Sequence, residues 1–390
     1  MMMGLAATLL FGESPVFAYY AAQVVSVVSS VGLFLYLPIA FFAMAAGVAS
    51  LRKDGKGWTF SWTTLVWSIV TALLLSGAAS VIFKLYPVLF PATSSAGASS
   101  FYHSIGFFFS NGSPAAITIL LASTAALILG YFLKPDADVI RPAYVVANSF
   151  SEVVFRYARA LTSVCFVLIF MFSTVWFTKL LQDGTIFVAA RFLTLILGGT
   201  LIALLAVLPL IYGIFTGFSR NPYRVIYRLT APALMALFSG NSGYSWSLLS
   251  STVRQNVGVQ KRIVGTAAPL YILLGRAGTS FIAVLVTSSL LYAATGSVPS
   301  YSIVLSFAMA CCLTGFVSGL NPGMEILAVV IFSLKIFGIE LHGGEAALLA
   351  FLPLLNGLGL MLDTVVSAMG MDVTATRMET AITVDYEDIL

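Results

Sequence analysis

Apolar runs of about 20 residues, the length that crosses the hydrocarbon core of a bilayer, recur along this chain. They lie at Tyr19–Ala49, Trp58–Val88, Pro114–Leu133, Val153–Leu181 and Phe187–Phe218, then at Leu234–Leu249, Ile263–Ala294, Ile303–Phe337 and Ala346–Met371. They predict an all-α polytopic membrane protein. Several are too long for one perpendicular crossing, which predicts tilting, bending or a turn that re-enters the membrane. The second half is further marked by two polar breaks, Ser239-Gly240-Asn241-Ser242-Gly243 and Ser318-Gly319-Leu320-Asn321-Pro322-Gly323. Irregular backbone at membrane depth survives only where protein covers it or where it lines a wet cavity. Paired breaks of this kind point to a transporter's substrate site.

Composition agrees with the pattern. The 390 residues are 59% hydrophobic and 9% charged, with a mean hydropathy of +1.01, which excludes a soluble globular protein. The net charge is only +4, and its placement says more than its size. Short cytoplasmic connections carry the excess of Lys and Arg. That rule puts Arg52, Lys53, Lys56, Lys134, Arg141, Arg220, Arg224, Arg228, Arg254, Lys261 and Arg262 inside, and the links Tyr86–Ser113, Ala294–Ser302 and Leu341–Glu345 outside. Leu234–Ser251 is then expected to enter from the cytoplasm and return to it, and Ile303–Phe337 to do the same from outside. Two re-entrant hairpins of opposite polarity, each followed by a full span, make an inverted repeat. Residues 1–18 are read as a leader or the remnant of a helix, and residues 377–390 as an acidic cytoplasmic tail.

The chemistry on offer is sparse. Cys165, Cys311 and Cys312 sit in apolar runs without metal-ligand spacing, so neither a disulfide framework nor a zinc site is implied. No nucleophile–base pair or metal cluster is visible, so an enzyme is not expected, nor a cofactor or a nucleic-acid partner. Asp363 is the sharpest candidate, because an ionised carboxylate inside a span costs at least ~2.5–3.5 kcal/mol and is by default functional. The alternative for it is an internal ion pair, foremost with Arg276. Asp363, Ser367, Gly370 and Thr374 recur at helical spacing on one stripe, whereas Asp372 falls about half a turn away. Asp372 is either an interfacial carboxylate or a coupling residue. At the breaks, glycines permit backbone conformations closed to other residues, and half-helix N-termini suit a carboxylate. Asn241, Ser242 and the Asn321 backbone are therefore candidates for a substrate carboxylate, with Gly243, Pro322 and Gly323 as further substrate-binding candidates beside them. Helix kinks with packing glycines are the bland alternative. Glu152, Arg156 and Arg159 read as an interfacial ion-pair cluster, and His103 and His342 as solvated loop residues.

These residues together resemble the dicarboxylate/amino acid:cation symporters, the family of the archaeal aspartate transporters and the excitatory amino acid transporters. The resemblance runs from about Tyr19 to Thr376. Asn221-Pro222-Tyr223 through Ser242-Gly243 is similar to the entry and serine-rich tip of the family's first hairpin, and Asn321-Pro322-Gly323 to the Val-Pro-Gly tip of its second. Gly275-Arg276-Ala277-Gly278-Thr279 stands at the Asn-Met-Asp-Gly-Thr motif of the seventh helix, and Leu362-Asp363 through Thr374 resembles the last helix. The resemblance implies the glutamate-transporter-homologue fold, a homotrimer in the cell inner membrane, and an elevator mechanism. Residues 19–218 would be mainly scaffold and trimerisation helices and residues 219–376 the transport core, with Cys311–Phe337 as the external gate.

The same resemblance implies roles and exposes departures. Asp363 would take the α-ammonium of an amino acid. Val366 stands where acidic-substrate members carry an Arg that pairs with a side-chain carboxylate. Either the substrate is a neutral amino acid or Arg276 supplies the guanidinium. Family sodium ligands are replaced by Gly275, Ala277, Gly370 and Thr374, leaving backbone carbonyls and hydroxyls such as Ser318, Thr279 and Thr374. Arg276 is then expected either to stand in for a bound cation, with proton coupling through Asp363, Asp372 or Glu325, or simply to lock Asp363 or Glu325 in an ion pair. The expected function is a symporter of an amino acid or small dicarboxylate, coupled to sodium or protons. The alternative is an anion-conducting, channel-like protein on the same scaffold.

Overall fold

A computed structural model of the chain describes residues 41, 42, 44–51, 55–91, 114–133, 139–163, 170, 174, 189–240, 242–318, 325–338 and 345–379. Residues 44–51 are helical, and twelve longer or shorter helices follow. They are α1 Gly57–Leu85, α2 Pro114–Phe132, α3 Arg141–Ser163, α4 Ala190–Thr216, α5 Pro222–Arg228, α6 Thr230–Ser239, α7 Ser242–Thr252, α8 Lys261–Leu274, α9 Ala277–Thr295, α10 Tyr301–Ser318, α11 Glu325–Ile336 and α12 Glu345–Arg377. No strand occurs among the described residues. α4 contains one wider, π-type turn at Ala203–Val207, and a second such turn, Val253–Val257, continues α7.

The first polar break interrupts a helix at Gly240. α6 stops at Gly240, whose left-handed φ of +57° is a conformation that residues with a Cβ seldom adopt. α10 ends at Ser318 and α11 begins at Glu325, with the residues between outside the described set. α6 packs on α7, and α10 packs on α11. The local chemistry explains the entry to the first pair: the Asn221 side chain accepts from the N–H groups of Tyr223 and Arg224 at 3.0 and 3.4 Å, and Pro222 occupies the first helical position.

Three boundaries differ from the hydropathy pattern. Ile263–Ala294, which reads as one span, is two helices, because Gly275 (φ −82°, ψ 53°) and Arg276 (φ −100°, ψ 29°) leave the helical conformation between α8 and α9. Two residues inside a long apolar run are too short to register in a hydropathy window. α3 begins at Arg141, well before the apolar run at Val153, because its first half is amphipathic. The last helix passes Met371 and continues to Arg377, where the Lys56 ammonium donates to the Met378 carbonyl at 2.8 Å.

Among the described residues, four helices are long and apolar enough to cross a membrane: α1, α4, α9 and the Phe351–Arg377 part of α12. Their surroundings separate them. In α9 and α12, 83% and 94% of the apolar window is buried in protein, against 44% for α1 and α4. α1 and α4 thus offer one face to lipid, whereas α9 and α12 are enclosed. Enclosure is what lets α9 and α12 carry Thr279, Ser280, Thr287, Asp363, Ser367, Asp372 and Thr374, all buried. The main core gathers around these two helices with α1, α4, α6, α8, α10 and α11. A second, smaller core joins residues 44–49 to Ala126, Leu133 and Ala147 of α2 and α3.

Candidate functional site

The first turn of a helix leaves backbone N–H groups without partners and carries the positive end of the helix dipole. At α9 that turn is met by Asp363. Its Oδ1 accepts from the Gly278 and Thr279 N–H groups at 2.6 and 3.1 Å, and its Oδ2 accepts from the Thr279 hydroxyl at 2.5 Å. The approach depends on Gly278, since a Cβ there would lie 2.6 Å from the Gly359 carbonyl oxygen and 2.8 Å from the Asp363 nitrogen. α12 and the start of α9 therefore touch backbone to backbone, and a buried carboxylate closes the helix end.

Arg276 precedes this turn and is 2% exposed. Its Nη1 lies 3.5 Å from Glu325 Oε1 and 3.8 Å from Asp363 Oδ2, so one guanidinium serves two buried carboxylates. Its Nε and Nη2 have no hydrogen-bond partner among the described residues. A buried donor without a partner costs about 1–3 kcal/mol, and more on a charged group. Glu325 opens α11 and is fully buried. With both carboxylates ionised, the cluster of Arg276, Glu325 and Asp363 carries one negative charge in excess.

Asn356 ties the cluster to both breaks. Its Nδ2 donates to the Gly240 carbonyl at 3.0 Å and to Glu325 Oε2 at 2.9 Å, and its Oδ1 accepts from the Ile326 N–H at 3.3 Å. One amide on α12 thus holds the end of α6 and the start of α11. Residues at Gly240, at the start of α9 and at the start of α11 converge on a stretch of α12 two turns long.

The remaining expected residues separate into three groups. Ser367 donates to the Asp363 carbonyl at 2.6 Å and faces Gly275, so it belongs to the next level of the same site. Gly370 lies against the rings of Trp67 and Tyr271, and Thr374 donates to the Gly370 carbonyl at 2.8 Å, in a packed layer below. Trp67 reaches this layer from α1 and donates to the Val366 carbonyl at 3.0 Å. Ser318 donates to the Gly315 carbonyl of its own helix at 2.6 Å. Asp372 faces away from the cluster, as its spacing implies, and takes hydrogen bonds from the Arg220 guanidinium and the Tyr212 hydroxyl. Ser242 and Gly243 open α7. Asn241, Asn321, Pro322 and Gly323 lie outside the described residues, as do residues 1–18, His103, Cys165 and His342.

Sequence reasoning missed Asn356. The signal was available: it is a lone amide in an apolar run, seven residues before Asp363, and two helical turns place it on the same stripe. Arg220 as the partner of Asp372 had no comparable signal, because 152 residues separate the two. In comparisons with known proteins, no family model and no curated protein matches this chain.

Proposed function

We propose that this membrane protein is a secondary transporter of a small carboxylate-bearing solute, an amino acid or dicarboxylate, built like the dicarboxylate/amino acid:cation symporters that its sequence resembles. In this proposal α6–α7 and α10–α11 are re-entrant hairpins, α12 is the spine of an elevator-type transport part, and the assembly is a homotrimer. The observation that carries it is the buried Arg276, with Nε and Nη2 both unpartnered, where Gly240 and the starts of α9 and α11 meet α12. A guanidinium edge offering Nε and Nη2 side by side is the geometry that receives a carboxylate bidentately. It supports the option in which Arg276 supplies the guanidinium that Val366 cannot.

Electrostatics then favours symport. The cluster already holds two acids and one base, so adding a substrate carboxylate deepens the imbalance unless a cation or proton enters with it. A zwitterion satisfies part of this demand itself, with its carboxylate on Arg276 and its ammonium toward Glu325 or Asp363. Both acids have partners within the fold, Asp363 in Thr279, Gly278 and Arg276 and Glu325 in Asn356 and Arg276, so either could take the proton or the ammonium only by exchanging one of them.

Proteoliposomes with labelled amino acids and dicarboxylates test this. Saturable accumulation driven by an inward proton gradient without sodium is the expected result. Sodium-driven uptake undiminished after collapse of the proton gradient would remove the proton from the scheme. Ohmic anion conductance without accumulation would favour the channel instead. Binding is visible independently as thermal stabilisation, about 2.7 kcal/mol at a hundredfold excess over Kd.

A further inference from the structure

A second polar site lies away from this cluster, between the helix at residues 44–51, α3 and the start of α8. It is a cavity of about 400 Å³ lined by Ser50, Tyr144, Asn148, Ser151, Gln260, Lys261 and Arg262, among others. Ser151, which lines it, is 4% exposed. Gln260 precedes α8 without a side-chain cap; its amide oxygen instead accepts from Arg262 Nε at 2.9 Å. In the first turn of α8, a helix of 14 residues, the Ile263 and Val264 N–H groups bond the Gln260 carbonyl at 3.0 and 3.1 Å, and Lys261 and Arg262 ahead of them line the cavity. Lys261 and Arg262 line the cavity, and Lys261, Arg156 and Arg254 gather about the Glu152 carboxylate beside it.

On α3 the stripe that carries Tyr144, Asn148 and Ser151 adjoins a second stripe of Val145, Val146, Phe150 and Val153, each more than half exposed. A polar cavity rimmed by cations and flanked by an open apolar helix face has the two-part chemistry of an amphiphile. We infer that this cavity binds the phosphate headgroup of an anionic phospholipid, with its acyl chains along the apolar face of α3. The basic residues place it on the cytoplasmic leaflet by the excess of Lys and Arg on that side. The flanking apolar face is what selects a lipid over a free phosphate, which would gain nothing from it. The inference rests on membrane residence alone and is independent of the transport proposal.

Purified full-length protein, delipidated and returned to nanodiscs, provides the test. Thermal stability and native mass spectra are compared in phosphatidylglycerol and in phosphatidylcholine, and in detergent with inorganic phosphate as the soluble probe. Phosphatidylglycerol should stabilise the protein more than phosphatidylcholine and remain bound in the mass spectrum. Arg262→Gln should weaken its retention about fivefold, with Arg262→Lys restoring most of it. Ser151→Trp should fill the cavity and abolish the difference between the lipids. Ser151→Leu serves the same purpose if the larger side chain prevents folding. Equal stabilisation by the two lipids, or a lipid difference that survives both Arg262→Gln and filling at Ser151, overturns the inference. Stabilisation by inorganic phosphate equal to that by phosphatidylglycerol also overturns it and assigns the cavity to a free anion.

Discussion

Asp363 and Asp372 stand nine residues apart on one buried helix, yet their surroundings answer two different questions. Asp372 has its own arginine, Arg220, and a tyrosine hydroxyl from Tyr212, so its charge is matched within the fold. Asp363 shares Arg276 with Glu325, leaving one acid in excess and two guanidinium nitrogens, Nε and Nη2, unused. A matched pair fastens helices together. An unmatched cluster is costly unless something else completes it, and in the proposed function a solute and a cation would do so at the Asp363 level. The difference teaches that a buried carboxylate is informative through the balance of its partners, not through its presence.

Removing the two arginines should separate these roles most sharply. Arg276→Gln leaves two buried carboxylates without a counter-charge, and uptake should fall below detection in proteoliposomes. Arg220→Gln breaks a buried pair whose removal costs about 3–5 kcal/mol, toward the lower figure because the Arg220 side chain is 23% exposed. Whatever protein still folds should transport with unchanged ion dependence. A double variant, Arg220→Gln with Asp372→Asn, should recover much of that stability, whereas Arg276→Gln with Glu325→Gln should recover stability without uptake. Full uptake by Arg276→Gln would erase the distinction.

Asn356→Leu comes next in size. It keeps the side-chain volume but leaves the Gly240 carbonyl, the Ile326 N–H and Glu325 short of partners, each worth about 1–3 kcal/mol if water does not reach it. A net loss of about 2–3 kcal/mol is expected after relaxation. Hydrogen exchange should rise together at the end of α6 and the start of α11, because one amide holds both. A rise in only one of them would show that the two breaks are not joined through α12.

Much of this was legible in the sequence, and the rest was not for identifiable reasons. The apolar runs gave α1, α2 and α4 to within three residues at each end, since a helix long enough to cross a bilayer shows as an apolar run of that length. The breaks near Gly240 and Ser318 were visible because polar residues at membrane depth need a cause. The break at Gly275-Arg276 was hidden by its brevity, although the unusual Arg276 was noticed. The partners of Arg276 were anticipated as alternatives, Asp363 or Glu325, and the fold supplies both. Pairings across long sequence separations, Arg220 with Asp372 and Trp67 with Val366, have no local trace, and only the packed fold brings them together. Gly370 looked like part of a binding stripe by periodicity, yet its face of α12 is filled by Trp67 and Tyr271. Gly370→Ala should therefore cost about 1–3 kcal/mol as overpacking, read as a lowered Tm.

The smallest effect belongs to a third acid, Glu152, which sharpens the contrast from the surface. Its carboxylate accepts from the Lys261 ammonium, with Arg254 and Arg156 nearby, and these partners hold its pKa below the ordinary value of 4.5, the Lys261 hydrogen bond contributing most. A carboxylate whose pKa is depressed on folding stabilises the fold above its unfolded value, and that contribution fades as pH falls from about 4.5 through the folded value. The side chains of Glu152 and Lys261 are 39% and 37% exposed, so water and salt screen the pair to about 0–1 kcal/mol. Glu152→Gln should thus lower Tm only slightly at pH 7, by less at pH 3.5, and by less again in high salt. The Arg220–Asp372 pair, shielded from solvent on the acid side, should respond to the same salt far less. If Glu152→Gln cost as much as Arg220→Gln, or if salt weakened both equally, burial would not be what separates the two kinds of ion pair, and the contrast between a matched interior pair and an unmatched interior cluster would lose its physical basis.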